Sequence, residues 1–432
     1  MSTDTHKHTA VLIDGCRIPF QQSGSGYVDL MSYDMGRMVL RGLLTRTGLP
    51  PDHLDRVVMG TVIQDVQTSN VAREAALAAG IPNEVPAFTV TMACISSNQA
   101  LTSSVDLIRA GLADRIIAGG TETLSDPPIR VARPLRKRLF EARHAEGAQD
   151  YWDLLEGLDP KDIIPESPSI EEFSTGEVMG ESADRLAAAF DITRREQDEY
   201  ALRSHRLAAQ ARDEGLLDPE LYPAAVPPDF DPITTDNVIR DDTSLDQLRQ
   251  LPPAFIKPFG TVTAGNSSAL TDGASATLLT SADAAEADGL TPRAALRDYT
   301  YVAQDPGTEL LLGPAYAIPQ VLTAAGLHLD DIDVIELHEA FAGQVLAVLE
   351  ALRSDTFAEE HLNRPSAVGT VDLDRLNAWG GSLSLGHPFG ATGTRLVTTA
   401  VHRLRVEGGR WALVAACAAG GQGHAMLIER LS

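Results

Sequence analysis

Two stretches of this chain read as variants of one phrase, TGLPPDHLDRVVMG at 47–60 and AGLHLDDIDVIELH at 325–338. Each stands at the same place in a longer series, and that duplication limits the fold more than any single residue does. In the first series TAVLIDGCRIPF has the apolar run of a buried strand, and YDMGRMVLRGLLTRTG has the spacing of an amphipathic helix closed by Gly48. In the second, AALRDYTYV is the strand and YAIPQVLTAAG the helix, closed by Gly326. The shared phrase follows as loop and strand. Each series then offers a helix (about 70–80; 343–353), a turn of small residues, a further helix and a last strand, DRIIAGGTETLS or RWALVAACAAGG. Strands alternating with helices, rich in Val, Ile and Ala, predict a duplicated α/β fold with buried, largely parallel sheets.

Between the halves the texture changes. Residues about 126–256 are richer in charge and proline, and then carry a strong helical pattern, GESADRLAAAFDITRREQDEYALRSHRLAAQARDEG. Ser182 and Thr193 are candidate caps for its two pieces, the latter with Glu196 three residues on. The expected division is a first half over 1–125 completed by about 257–290, an inserted domain over 126–256, and a second half over 291–432.

A formal net charge of −25 and a pI near 4.7 argue against nucleic-acid binding. An anionic substrate would have to be met by local basic groups or helix N-termini. Three cysteines in 432 residues make no disulfide framework. The sequence shows no secretory or Arg-rich, acid-poor leader at its start, and no apolar run near the roughly 20 residues a bilayer span needs. A reducing cytoplasm is the expected location.

Cys94 follows AFTVTM and precedes ISSNQALTSSVDLIRAG, a predicted helix. A thiol at a helix start is where backbone N–H groups and the macrodipole lower its pKa, although a lone cysteine also reads as a small buried hydrophobe. Cys417 ends the strand WALVAAC before AAGGQG, where small residues permit close approach. His387 lies in SLGHPFGATG, a glycine-rich turn in which Thr392 is available to satisfy the local backbone. His338 and Glu339 end the strand DVIEL in HEAF; Ala342 stands where a zinc-protease HExxH would need a second histidine. No metal is implied, and no GxGxxG suggests a dinucleotide. Two thiols and a histidine would allow one sulfur to act as nucleophile and the other as base. KPFGTVTAGNSSALTDGAS at 257–275 reads equally as a ligand-holding loop and as a joining turn.

MACISSNQAL, GTVTAGNSSALTDGA, HEAFAGQ, GGSLSLGHPFGATGTR and CAAGGQGHAM run in the order found in the thiolase family, which the chain resembles through almost its whole length. HEAFAGQ, GHPFGATG and CAAGGQG are most like the trifunctional-complex β-subunit branch. The resemblance implies two mixed five-stranded halves plus a loop domain. It also implies that Cys94 is the acylated nucleophile, His387 its activator and Cys417 the acid/base at the acetyl methyl carbon. His338 takes the place many thiolases fill with asparagine, at the thioester oxygen. Ser268 matches the serine near the pantetheine, and Met179 the loop methionine near the acyl group. The N–H groups of Cys94 and Ala419 would hold the oxyanion; Ala419 stands where the family often has glycine, which suits the role provided its φ stays negative. The implied reaction is reversible thiolysis of 3-ketoacyl-CoA by CoA, with CoA and acyl-CoA as substrates and no resident cofactor.

The competing readings are an acetoacetyl-CoA thiolase, a decarboxylating ketoacyl synthase, and a non-catalytic lipid-binding scaffold. Cys417 argues against the synthase, and the retention of Cys94, His387 and Cys417 argues against the scaffold. A homodimer or homotetramer is expected, with a hydratase/dehydrogenase α subunit as the partner of this branch. The segment 136–173 begins basic and turns acidic, with Phe140, Tyr151, Trp152, Leu154, Leu155, Ile163 and Ile164 as apolar members. An interfacial membrane helix keeps its polar face basic, so protein contact or packing on the body is expected there rather than lipid.

Overall fold

The computed structural model describes residues 9–166 and 171–431. Five strands belong to the first series: β1 (Ala10–Arg17), β2 (Arg56–Gly60), β3 (Ala87–Val90), β4 (Arg115–Glu122) and β5 (Thr271–Ser281). Four belong to the second: β6 (Ala294–Ala303), β7 (Val334–Leu337), β8 (Trp411–Ala418) and β9 (Gln422–Arg430). They run β7-β8-β9-β6-β1-β5-β4-β2-β3 in one sheet, joined at its middle by a short pairing of Val11 and Leu12 with Ala295 and Ala294. The duplication is visible strand by strand. β1 and β6 even carry equivalent register shifts, between Leu12 and Asp14 and between Leu296 and Asp298. The counterpart of β3 in the second half is a single parallel bridge, Ile335 to Leu376.

The expectation of largely parallel sheets is corrected. Only β2–β4, β2–β3 and β7–β8 are parallel, and the five pairings at the centre are antiparallel. Unbroken apolar runs report that both faces of a strand are covered, and they are silent on its direction. The direction of β9 is set by the tight turn Ala419–Gly421, which folds it back on β8 as a hairpin. The matching hairpin of the first half, β4 to β5, is opened by the long insertion.

Period-two alternation sorts the strand residues between two cores. Along β8, Leu413, Ala415 and Cys417 face an outer core with the helices Gly313–Ala325 and Ala342–Arg353. Ala412, Val414, Ala416 and Ala418 face a central core holding Leu101 and Val105 of helix Ser96–Arg109 and Leu396 and Val397 of helix Thr392–Glu407. These two central helices pack between the two halves of the sheet, and their N-termini bring the motifs together. The Ser97 hydroxyl accepts from the Thr394 N–H at 3.1 Å.

The insertion is tied to both halves. Arg17, fully buried, donates to Glu220 at 2.8 Å and to Asp236 at 2.6 Å, while Thr399 donates to Glu220 at 2.8 Å. Thr193 caps the helix Arg194–Asp213 in a capping box with Glu196, as the sequence predicts. Ser182 does not cap: helix Met179–Ala189 starts earlier, because Glu181 reaches back to the Val178 N–H at 3.1 Å and leaves Ser182 buried in the second turn. In the segment 136–173, residues 167–170 and the Leu155 side chain lie outside what is described. Phe140, Tyr151, Trp152, Ile163 and Ile164 are all more than half exposed, so these side chains are not packed on the body, which the segment meets where Glu172 accepts from the Gly420 N–H at 2.6 Å. Among the described residues no helix is long and apolar enough to cross a membrane.

Candidate active site

Cys94 sits in the turn between β3 and helix Ser96–Arg109. The residue before it, Ala93, has φ of 45°, a left-handed conformation that a non-glycine residue adopts only when its surroundings enforce it. Ser96 does the enforcing: its hydroxyl donates to the Ala93 carbonyl at 2.6 Å and accepts from the Met92 N–H at 2.8 Å. The thiol is left half-buried, with the backbone N–H groups of Ala419 and of Cys94 itself acting to lower its pKa. The sequence predicted a lowered pKa here. Burial instead pushes it up to about 11, the two N–H groups oppose the rise, and the Glu122 carboxylate adds to it. The resting thiol is therefore protonated, and a base must remove its proton.

His387 and His338 supply the neighbouring nitrogens. The Cys94 sulfur and one ring nitrogen from each histidine lie within 4.8 Å of one another, and the two ring centroids are 4.1 Å apart. Sulfur and imidazole donors are also the kind a zinc-type ion accepts. Both histidines are buried, and both are held neutral. Desolvation and then the Arg395 charge push His387 down to about 3; desolvation, His387 and Arg395 push His338 well below its ordinary value.

The tautomer of His387 follows from its partner. Thr392 Oγ1 gives its proton to the Pro388 carbonyl at 3.0 Å, so at 2.6 Å from His387 Nδ1 it must accept. Nδ1 carries the proton, and Nε2, which has no hydrogen-bond partner among the described residues, keeps a free lone pair. The loop is fixed from both sides. The His387 N–H donates to Ala269 at 3.1 Å, and the Gly390 N–H donates to Glu122 at 2.9 Å. Gly386, at φ 91°, turns there with Thr271 in its path, where a Cβ would lie 2.4 Å from that methyl carbon.

His338 continues from β7, its N–H donating to Ala415 at 2.9 Å. Its Nδ1 lies 2.9 Å from Ser382 Oγ, and its Nε2 is again without a partner among the described residues. Glu339 is not free for chemistry. It accepts from Tyr200 at 2.9 Å, Ser204 at 2.8 Å and Asn377 at 2.7 Å, and so locks HEAF to the insertion.

Cys417 is buried near the end of β8, paired across from Gly423, and its thiol is pushed up by burial and by the neighbouring Cys94. Ala419 keeps an ordinary φ; the left-handed turns fall on Gly420 (85°) and Gly421 (65°), which is why alanine serves at 419. The loop before β5 runs between the two histidine segments. The Ser268 N–H donates to Ala340 at 2.9 Å, and Ala269 meets His387. Met179 opens helix Met179–Ala189 and packs, half-buried, on the core that holds Cys417 and Phe341. Cys16 is core, pushed up to about 12 by burial.

Sequence reasoning missed Glu122, Ser96 and Ser382. Glu122, fully buried at the end of β4, accepts from the N–H groups of Val62 (3.0 Å), Ile63 (2.9 Å) and Gly390 (2.9 Å). A lone acid ending an otherwise apolar strand, IIAGGTE, was the available signal.

Residues 10–283 match the family described as thiolase, N-terminal domain, and residues 290–430 match thiolase, C-terminal domain. The chain belongs to the thiolase family. Among thiolase relatives, the mitochondrial trifunctional enzyme subunit beta of Bos taurus is 57% identical over 419 residues, covering 97% of this chain and 88% of that protein. The crystal structure of the Bacillus anthracis acetyl-CoA acetyltransferase superposes with a TM-score of 0.85 at 32% identity, covering 99% of this chain and 100% of that one. Human mitochondrial 3-ketoacyl-CoA thiolase superposes with a TM-score of 0.83 at 31% identity, over 98% of this chain and 99% of that one.

Proposed function

We propose that this thiolase is a 3-ketoacyl-CoA thiolase, an acetyl-CoA C-acyltransferase that closes the β-oxidation cycle. The observation that carries the reading is the His387 lone pair facing a protonated Cys94 thiol, with two N–H groups on the sulfur side. His387 Nε2 takes the proton as the sulfur attacks the 3-keto carbonyl carbon of a ketoacyl-CoA. The N–H groups of Cys94 and Ala419 hold the oxyanion, a contribution of roughly 3–4 kcal/mol for one such donor in other enzymes. The bond between that carbon and the methylene next to the thioester then breaks. Its electron pair stays as the acetyl-CoA enolate, whose oxygen meets His338 and whose carbon takes a proton from Cys417. CoA thiol then gives its proton to the Cys417 thiolate and attacks the acyl-Cys94 thioester; the departing Cys94 sulfur takes back the proton held on His387, and acyl-CoA leaves. No resident metal or cofactor is needed for these steps. Ser268 and Met179 line the path of the pantetheine and the acyl group.

The 57% identity to a trifunctional β subunit favours β-oxidation over acetoacetyl-CoA synthesis, which the 32% likeness to an acetyl-CoA acetyltransferase would suggest. Thiolysis rates across acyl chain lengths decide between them: sustained rates on long 3-ketoacyl chains support the reading, and activity confined to acetoacetyl-CoA overturns it. We place the protein in the cytoplasm and propose a homodimer or homotetramer joined to a hydratase/dehydrogenase subunit through the exposed residues of 136–166. Co-purification with such a subunit, lost on deleting 137–165, is the check. Equal binding after the deletion removes that contact.

A further inference from the structure

The mechanism above leaves one buried group unused. Arg395 is fully buried in helix Thr392–Glu407, yet its guanidinium makes a single hydrogen bond, from Nη2 to Ser382 Oγ at 2.7 Å. Its Nε and Nη1 have no hydrogen-bond partner among the described residues. The Glu336 carboxylate stands 3.8 Å from Nη1 and is engaged instead by Arg403 at 2.8 Å. A buried cation satisfied this poorly is costly to keep, so its one bond is the place to look for its use.

Ser382 is that place. With Arg395 donating into one lone pair, a second N–H donor against the same oxygen would leave the serine proton buried with no acceptor. The hydroxyl proton has His338 Nδ1, 2.9 Å away, as its acceptor among the described residues. Nδ1 is then the unprotonated nitrogen, and the proton of neutral His338 sits on Nε2, which has no partner among the described residues, in a ring with a nitrogen within 4.8 Å of the Cys94 sulfur. We infer that Ser382, oriented by Arg395, is a positioning residue that fixes His338 as an N–H donor toward the substrate thioester oxygen. The two adjoining histidines, their rings tilted by 46°, thus present opposite chemistry to the site. Thr392 makes His387 an acceptor, and Ser382 makes His338 a donor. Glu336, placed between Arg395 and Arg403, holds the first guanidinium in line without taking its bond.

This inference rests on the reading of His338 as the group that meets the enolate oxygen, but its test does not. Histidine ring ¹⁵N–¹H correlation spectra of the substrate-free protein report which nitrogen carries the proton, with His338→Asn identifying the resonance. The expected result is an Nε2–H pattern in the native protein. In Ser382→Ala that pattern gives way to a mixture or to Nδ1–H. The condensation kcat falls by about 10²-fold, the scale of one oxyanion donor, with KM for acyl-CoA little changed. Ser382→Thr, which restores a hydroxyl, recovers both, and Arg395→Lys gives a milder version of the alanine result. An Nδ1–H pattern at His338 in the native protein overturns the inference, as does an unaltered pattern and kcat in Ser382→Ala. Absence of thiolysis with the Nε2–H pattern intact would count against the function and leave this assignment standing.

Discussion

Thr392 Oγ1 accepts a hydrogen bond from His387 Nδ1–H at 2.6 Å because its own hydroxyl donates to the Pro388 carbonyl at 3.0 Å. One hydroxyl therefore decides which nitrogen of His387 is basic. Removing it while keeping the shape is the informative change. Thr392→Val should lower the acylation rate of Cys94 by roughly 10²-fold, the scale of a misplaced general base, and Thr392→Ser should restore most of it. Burst amplitudes and rates with an acyl-CoA read the result. A valine variant that acylates at the native rate would take the tautomer out of the mechanism.

Cys417→Ser should separate the two half-reactions. Acyl transfer to Cys94 survives, because it uses His387. Exchange of the acetyl-CoA methyl protons with deuterated water collapses, because serine is too weak a base near neutral pH. Mass spectrometry of the acyl-enzyme and proton NMR of acetyl-CoA are the two measurements. Undiminished exchange would remove Cys417 from the proton transfer.

Glu122→Gln should destabilise the protein by about 1–3 kcal/mol, the cost of setting donors against donors in a buried site. One oxygen accepts from Val62 and Gly390, the other from Ile63 and Thr61, so the amide nitrogen faces two donors in either orientation. The Gly390 bond also anchors the His387 loop, so turnover should fall with stability. Urea midpoints and kcat measured together test this; a native midpoint would show that the bonds are dispensable.

Acid should weaken the fold through its neutral histidines. His387 and His424 are both held down to about 3 by burial, and the unfolded chain protonates them near 6.5. Their folded pKa is depressed, so below about 6.5 the unfolded state binds more protons, and this part of the stability falls as pH drops toward 3. His424 is outside the proposed chemistry, with Nδ1 on the Thr300 carbonyl at 3.0 Å and its ring against Tyr301. His424→Gln should therefore cut proton uptake on unfolding at pH 5 by about one proton. Denaturation midpoints at pH 5 and pH 7 give that number, and an unchanged slope would contradict it.

The duplication, the helix ends at Gly48 and Gly326 and the Thr193 cap were all legible in the sequence, because each rests on local spacing or a single backbone requirement. The assembly of Cys94, His338, His387 and Cys417 came from the family resemblance, and the structure brings the first three within bonding reach of a common point. Strand direction was not legible, since apolar runs record burial alone. Nor was the raised pKa of Cys94: a helix start lowers it, but the depth of the site, set by distant segments, outweighs that. Glu122, Ser382 and Arg395 act through partners far away in sequence, and no local pattern marks them.

Cys94 comes from the first repeat, while His338, His387 and Cys417 all come from the second. Neither repeat folded alone would hold both the proposed nucleophile and its proposed base. During refolding, strand and helix content can return within each repeat before any chemistry does, and acylation of Cys94 becomes a signal that the two have docked in register. A misaligned or clipped chain would look well structured by circular dichroism and still be silent toward acyl-CoA.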